Sequence, residues 1–401
     1  MLEHGLLSLE DALARLLAGA AALPIEQATL GEAFGRFLAA DRFAKVSQPP
    51  VDVSAMDGYA VRFANLPAPL RIIGSSAAGH GFQGVVRAGE AVRIFTGAAV
   101  PAGADTIAVQ EDAAVSGGQV RIAGDGPPAR GAHIRRAGQD FAAGACVARA
   151  GDRLTPARLG LLAASGNACV PVPRRPTVAV IATGDELVAP GATPGPHQII
   201  SSSGAMISAL ARRAGADVRD LGIVPDTREA LAKAFADAQS ADIIVSIGGA
   251  SVGDHDLVKP VLESLGANID FWRIAIRPGK PVLAGRLGSA QVIGLPGNPV
   301  SAFVCATLFL LPLLRLMAGD PDPVAVPAPA RAAVALKANG ARRDFLRATL
   351  EHRADGSLWA TPATVQDSAM LATLAGCDAL LIRPENGAAL AAGASVGVLS
   401  L

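Results

Sequence analysis

The chain has 401 residues, 51% of them hydrophobic and 17% charged, and no formal net charge. That length suits about two to four domains with substantial cores, and neutrality argues against binding nucleic acid or an anionic membrane surface through overall charge, although a local basic pocket remains compatible with it. The four cysteines, Cys146, Cys169, Cys305 and Cys377, lie far apart without CxxC or Cys/His spacing, which argues against zinc and a disulfide framework and for reduced thiols in the cytoplasm.

No basic start followed by an apolar core opens the chain, so no signal peptide is expected. Ser8 with Asp11 reads as a helix start, and Leu9, Leu13, Leu16 and Leu17 share one helical face. A second helical stretch, Leu30 to Ala40, is expected after Thr29. Pro49-Pro50 then stops regular structure, and Asp57-Gly58 reads as a turn dipeptide. From Arg71 to Ile122 short apolar runs alternate with Gly, Pro and Asp, which predicts a β-rich region. Its loop Phe95 to Asp105 carries Thr96 and Gly97, which suit a ligand contact or a simple turn. Arg135 and Arg136 suit a solvated surface. A helical piece is expected over Thr155 to Ser165, and Pro171 to Pro176 forms a boundary.

Between Thr177 and Met317 strand and helix patterns alternate: strands at Val178–Ala182, Val218–Val224, Ile243–Ile247, near Phe271–Ile276 and at Gln291–Leu295, with helices at Gly204–Arg213, Thr227–Ala238 and Leu257–Leu265. This predicts a doubly wound, mostly parallel sheet covered on both faces. The apolar stretch Ala302 to Met317 falls short of the ~18 residues of a membrane span and contains Pro312, so it reads as a buried helix. Asp320 to Pro329 reads as a linker, and the remaining residues as a small barrel or sandwich.

The stretch Ile243 to Asp256 organises the α/β region. A β-branched apolar run ends in a loop with Gly248, Gly249 and Gly253, which carries Ser251, Asp254 and Asp256. Glycine allows positive φ and close approach of backbone to ligand, and open α/β sheets bind ligands outside the carboxyl ends of their strands. The loops Thr183-Gly-Asp-Glu186, Arg277-Pro-Gly-Lys-Pro281 and Leu295-Pro-Gly-Asn-Pro-Val-Ser301 sit at other strand ends. Together they bring Glu186, Asp226, Asp256, Arg277, Lys280 and Ser301 towards one crevice. Carboxylates beside basic groups at a helix N-terminus suit a phosphorylated ligand with a divalent cation, and also a surface ion-pair network.

Laid out in order, Pro49-Pro50 with Ser54-Ala-Met-Asp-Gly-Tyr-Ala60, Thr96-Gly97, Ile134-Arg-Arg with Gly138 and Asp140, Thr183-Gly-Asp-Glu186, Gly248-Gly-Ala-Ser-Val-Gly253 with Asp256, Pro278-Gly-Lys-Pro281, Leu295-Pro-Gly-Asn-Pro299 and Phe345-Leu-Arg347 resemble the molybdopterin molybdotransferases, a family that includes the E domain of gephyrin. The resemblance implies an α/β multidomain chain: a discontinuous first domain (1–45 and 142–175), an inserted β-rich domain (46–141), an α/β domain similar to molybdopterin adenylyltransferase (176–320) and a C-terminal β-barrel (325–401). It implies insertion of molybdate into adenylylated molybdopterin with release of AMP and with Mg²⁺. It also implies a cytoplasmic homodimer in which Asp57, Thr96 and Asp140 of one subunit complete, in trans, a site built by Glu186, Asp226 and Asp256. Molybdopterin adenylyltransferase and molybdoenzyme maturation proteins are further candidate partners.

On that resemblance the catalytic candidates are Asp57, Asp140, Glu186, Asp226 and Asp256. Glu186, Asp226 and Asp256 are also the Mg²⁺ candidates. Thr96, Arg135, Thr183, Gly184, Gly248, Gly249, Ser251, Gly253, Pro296, Gly297, Asn298 and Pro299 are substrate-binding candidates. Arg277, Lys280, Arg347 and Ser368 are candidates for molybdate. Ser368 equally suits a turn hydroxyl, and Arg347 a charge on a strand face. Where the family usually carries an aromatic, an acid and an Asn, this chain has Ile200, Ser201, Ser202 and Ser203, so no role is carried onto that loop. Arg273 and Arg277 stand where lysines are common, and Gln139 replaces a frequent Glu. An adenylyl-transfer step and a non-catalytic scaffold are the alternative functions.

Overall fold

The computed structural model describes residues 6–249, 257–279 and 281–401, with residues 270–272 described at the backbone alone. Residues 27–171 form one compact unit, and residues 1–26 with 172–401 form another. Helix α1 (Leu9–Ala18) opens the second of these. The Ser8 hydroxyl caps it by accepting from Asp11 N at 3.0 Å, and Leu9, Leu13 and Leu16 are buried.

The 27–171 unit is built on a six-stranded sheet of β1 (Gly58–Val61), β2 (Leu70–Ser76), β3 (Glu90–Ile94), β4 (Thr106–Val109), β5 (Ala113–Ser116) and β6 (Gln119–Ile122), in the order β4-β1-β3-β2-β6-β5. Alternation gives the sheet two apolar faces: Tyr59, Val61, Ala108 and Val120 on one, Ala60, Val92, Ile94 and Ile107 on the other. The Asp57-Gly58 pair is not a simple turn. Gly58 enters β1, where an added Cβ would overlap the Ala108 carbonyl oxygen. Helix α2 (Pro156–Ala164) starts at the expected cap Thr155.

The expected helix over Leu30 to Ala40 is absent and turns occupy most of the segment. Glu32 does accept from both the backbone N and the hydroxyl of Thr29. Gly35, however, adopts φ +77° and donates its N–H to Leu154 O, so the helical ladder ends as it begins.

The other unit carries β7 (Thr177–Thr183), α3 (Ser203–Arg213), β8 (Asp217–Val224), α4 (Arg228–Ala238), β9 (Ile243–Ile247), α5 (Val258–Ser264), β10 (Asn268–Arg273), β11 (Ile276–Arg277), β12 (Pro281–Leu287), β13 (Ala290–Leu295) and α6 (Pro299–Met317). Its sheet order is β8-β7-β9-β13-β12-β10. The first four strands are parallel, and β12 and β10 continue the sheet antiparallel. Strand β9 is buried along its whole length because helices cover both faces. Ile243, Val245 and Ile247 face a core shared with α1, α3 and α6, while Ile244 faces α4 and α5. Helix α6 is long and apolar enough to cross a membrane on composition alone, but 78% of its apolar window is buried within the protein. A π-turn over Ala306–Leu310 interrupts its regular pattern.

Strands β14 (Ala328–Ala332), β15 (Arg343–His352), β16 (Leu358–Pro362), β17 (Ala379–Arg383) and β18 (Ser395–Ser400) close into a five-stranded barrel through pairing of β15 with β17. Strand β11 belongs to this sheet too. It runs parallel to β15, with Ile276 opposite Arg343 and Arg277 opposite Asp344.

Candidate functional site

The carboxyl ends of β7, β9 and β13 open into a cleft of about 1030 Å³, the location that an open α/β sheet provides. Gly248 brings two of its walls together. It has φ +93°, donates its N–H to Leu295 O at 3.0 Å, and an added Cβ would overlap the Thr183 carbonyl oxygen. The acidic wall follows from the β7 and β8 loops. Thr183 donates its hydroxyl to Asp226 in a short hydrogen bond. The Asp226 N–H in turn donates to Asp185 Oδ1 at 3.1 Å. Glu186, exposed at the cleft, completes this wall.

The opposite wall is Pro296-Gly-Asn-Pro299 and the first turn of α6. Asn298 donates its side-chain N–H to Ser368 Oγ at 3.2 Å, and Val300 N–H donates to Ser368 O at 3.1 Å. A loop of the barrel therefore clasps the helix start and occupies one of the N–H groups expected to face an anion. Arg277 lines the cleft with its side chain 55% exposed, and its Nη2 pairs with Asp344 at 2.6 Å.

Of the sequence candidates, Thr183, Gly184, Glu186, Asp226, Gly248, Gly249, Arg277, Pro296, Gly297, Asn298, Pro299 and Ser368 all line this one cleft. Ser251, Gly253, Asp254, Asp256 and Lys280 lie outside the described residues. Arg347 is not a charge on an exposed strand face: it is fully buried in the barrel. Its Nη2 donates to Val365 O at 3.2 Å, and its Nε and Nη1 have no partner among the described residues. Burial pushes its pKa down. Gln366, which lines the cleft, is bonded in both directions to the Arg347 backbone at 3.0 Å.

Sequence reading assigned no role to Ser201–Ser203, Arg342 or Gln366, yet all five residues line the cleft. Arg342 and Gln366 come from the barrel, so no strand-end motif marks them. Among the described residues no group of three or more His, Cys, Asp or Glu is arranged to hold a metal. Glu186 and Asp226 do supply two carboxylates to one cleft, a donor set that fits Mg²⁺ when substrate phosphate and water complete its shell.

The 27–171 unit has its own hollow of about 570 Å³, lined by Gln48 to Val51, Gly97, Arg135 and Asp140 among others. Asp57 accepts from Thr96 N at 2.7 Å and from Thr96 Oγ1 at 2.8 Å. The Thr96 backbone N–H and then its hydroxyl hold the Asp57 carboxyl below its ordinary range. Arg136 is ion-paired with Asp52 at 2.5 Å, so the surface reading holds for a charge that is paired, not free.

Residues 7–166 match the MoeA N-terminal region (domain I and II), residues 179–316 a probable molybdopterin binding domain, and residues 329–401 the MoeA C-terminal region (domain IV). The α/β unit with its strand-end cleft is thus of the molybdopterin-binding class, set in a multidomain chain. A molybdopterin molybdenumtransferase of Haemophilus influenzae is 36% identical over 383 residues, covering 93% of this chain and 93% of that protein. Molybdopterin molybdenumtransferase 2 of Mycobacterium tuberculosis is 38% identical over 394 residues, covering 93% of this chain and 94% of its own length. A solved molybdopterin biosynthesis MoeA protein from Pyrococcus horikoshii aligns with TM-score 0.83 at 26% identity, over 99% of this chain and 100% of that one. The chain belongs to the MoeA family.

Proposed function

We propose that this chain is a molybdopterin molybdenumtransferase, which inserts molybdate into adenylylated molybdopterin and releases AMP. The observation that carries the reading is the single cleft in which Glu186, Asp226, Arg277 and Ser368 meet at the strand ends. The glycine backbone at Gly248–Gly249 and Gly297 leaves room for the phosphates of the adenylylated pterin. Thr183 holds the Asp226 carboxylate in place, and Asp226 and Glu186 orient the attacking oxygen as AMP leaves. Arg277 and Ser368 present donors to the tetrahedral oxyanion, and Arg347, buried in the barrel and bonded through its backbone to the cleft residue Gln366, adds positive charge. Glu186 and Asp226, with Asp256, would hold Mg²⁺, which would supply neutralisation of phosphate charge.

The protein works as a cytoplasmic homodimer, in which Asp57, Thr96, Arg135 and Asp140 of one subunit complete the other's cleft. The domain limits are those of the resemblance: 1–45 with 142–175, 46–141, 176–320 and 325–401. The purified protein incubated with adenylylated molybdopterin, Mg²⁺ and molybdate should release AMP only when the oxyanion is present. Consumption of ATP without oxyanion dependence would support adenylyl transfer instead.

A further inference from the structure

Arg277 sits on β11, a strand that lies beside the cleft yet pairs with the barrel. Its partner across the ladder is Asp344, at the start of β15. The two differ sharply in environment: the Asp344 side chain is 5% exposed and that of Arg277 55%. Arg277 Nη2 donates to Asp344 Oδ2 at 2.6 Å. Among the described residues this is the only hydrogen bond to the Asp344 carboxylate and the only one from the Arg277 guanidinium. Arg383, opposite Asp344 on β17, directs its Nη2 to the carbonyls of Lys337, Gly387 and Ala388 instead.

A buried carboxylate needs a partner, and this one has a guanidinium whose remaining donors, Nε and Nη1, have no partner among the described residues. An arginine fork held at one nitrogen keeps its plane and direction, and a donor ordered in advance loses less entropy when a ligand binds. The pair is also close to neutral as a unit, so its contribution to anion recognition is directional. We infer that Asp344 is a positioning residue for oxyanion selection: the buried carboxylate pins Arg277 so that its free donors face the cleft. This rests on the reading of Arg277 as a molybdate-binding residue and adds a second residue, from the barrel, that the strand-end motifs do not contain.

The test compares Asp344→Asn, Arg277→Gln and the double variant in AMP release, with molybdate binding followed separately by calorimetry. Asp344→Asn should raise the half-saturating molybdate concentration about tenfold while leaving that for adenylylated molybdopterin within about twofold. On the Arg277→Gln background it should add nothing further. Arg277→Lys keeps the charge but loses the fork, and it should reproduce the rise if Asp344→Asn fails to fold. A lower melting temperature with unchanged molybdate dependence in Asp344→Asn would make the pair a structural clasp and overturn the inference. Tighter molybdate binding in that variant would also overturn it, since Asp344 would then only be cancelling charge. If the unaltered protein shows no molybdate-dependent AMP release, the proposed function itself fails, and that outcome is distinct from both.

Discussion

Gly248 adopts φ +93° with the Thr183 carbonyl where a side chain would go. Gly248→Ala meets both backbone strain and overlap, and should destabilise the protein by about 1–3 kcal/mol in urea unfolding. Asp226 is held by the Thr183 hydroxyl and by its own N–H to Asp185. Asp226→Asn keeps the shape and removes the charge, so AMP release should fall by at least about tenfold with little change in melting temperature. Normal turnover at saturating Mg²⁺ would remove Asp226 from the chemistry. Asp242 contributes to the pH response. Burial pushes its carboxyl up, but the Arg174 fork at 2.6 and 2.7 Å and the Thr177 donors outweigh that, and the net shift is downward. A depressed folded value means stability that is present above the ordinary carboxylate range and lost as pH falls through the folded value. Unfolding free energy should therefore decline as pH falls below the ordinary carboxylate range, and Asp242→Asn should flatten that decline.

Elements were legible where a local signal and the burial pattern agreed. Ser8, Thr155 and Thr227 each accept a hydrogen bond from the backbone three residues on, and each starts the helix expected there. Ser8→Ala should cost about 0.5–2 kcal/mol of stability, read from denaturant midpoints. The strand Ile243–Ile247 was legible because β-branched residues buried on both faces leave no helical period. Others were not, and two show why. Leu30 to Ala40 has helical composition, but Gly35 is used for a turn that bonds Leu154, a partner far along the chain. Strand β12 begins at Pro281 and contains Gly285, both of which argue against a strand; Gly285 is required because an added Cβ would overlap the Asn268 carbonyl oxygen on the paired strand. In the cleft, Glu186, Asp226 and Arg277 could be found because strand-end loops mark themselves with Gly and Pro. Arg342 and Gln366 reach it from the barrel, and the buried Asp344 touches it only through Arg277, a long-range arrangement with no local signature.

The fold class that the motif order implied, an α/β multidomain chain, is the one found, and the C-terminal strands, which suited a barrel or a sandwich, close into a barrel through β15 and β17. The proposed homodimer should give the mass of two chains by light scattering at micromolar concentration. A fully active monomer would exclude completion of the cleft in trans. Another consequence concerns the order of synthesis. The apolar face of α1 is covered by a core that includes α6, and Leu23 N–H bonds the carbonyl of Met317 at the far end of that helix. Between Ala18 and Met317 roughly 300 residues must be made, which at about 5–20 residues per second takes on the order of 15–60 s. The 27–171 unit can close during that interval, while Leu9, Leu13 and Leu16 wait without α6, which completes their core. Helix α1, made well before α6, is thus buried late, and a nascent chain halted before α6 should present that leucine face to chaperones.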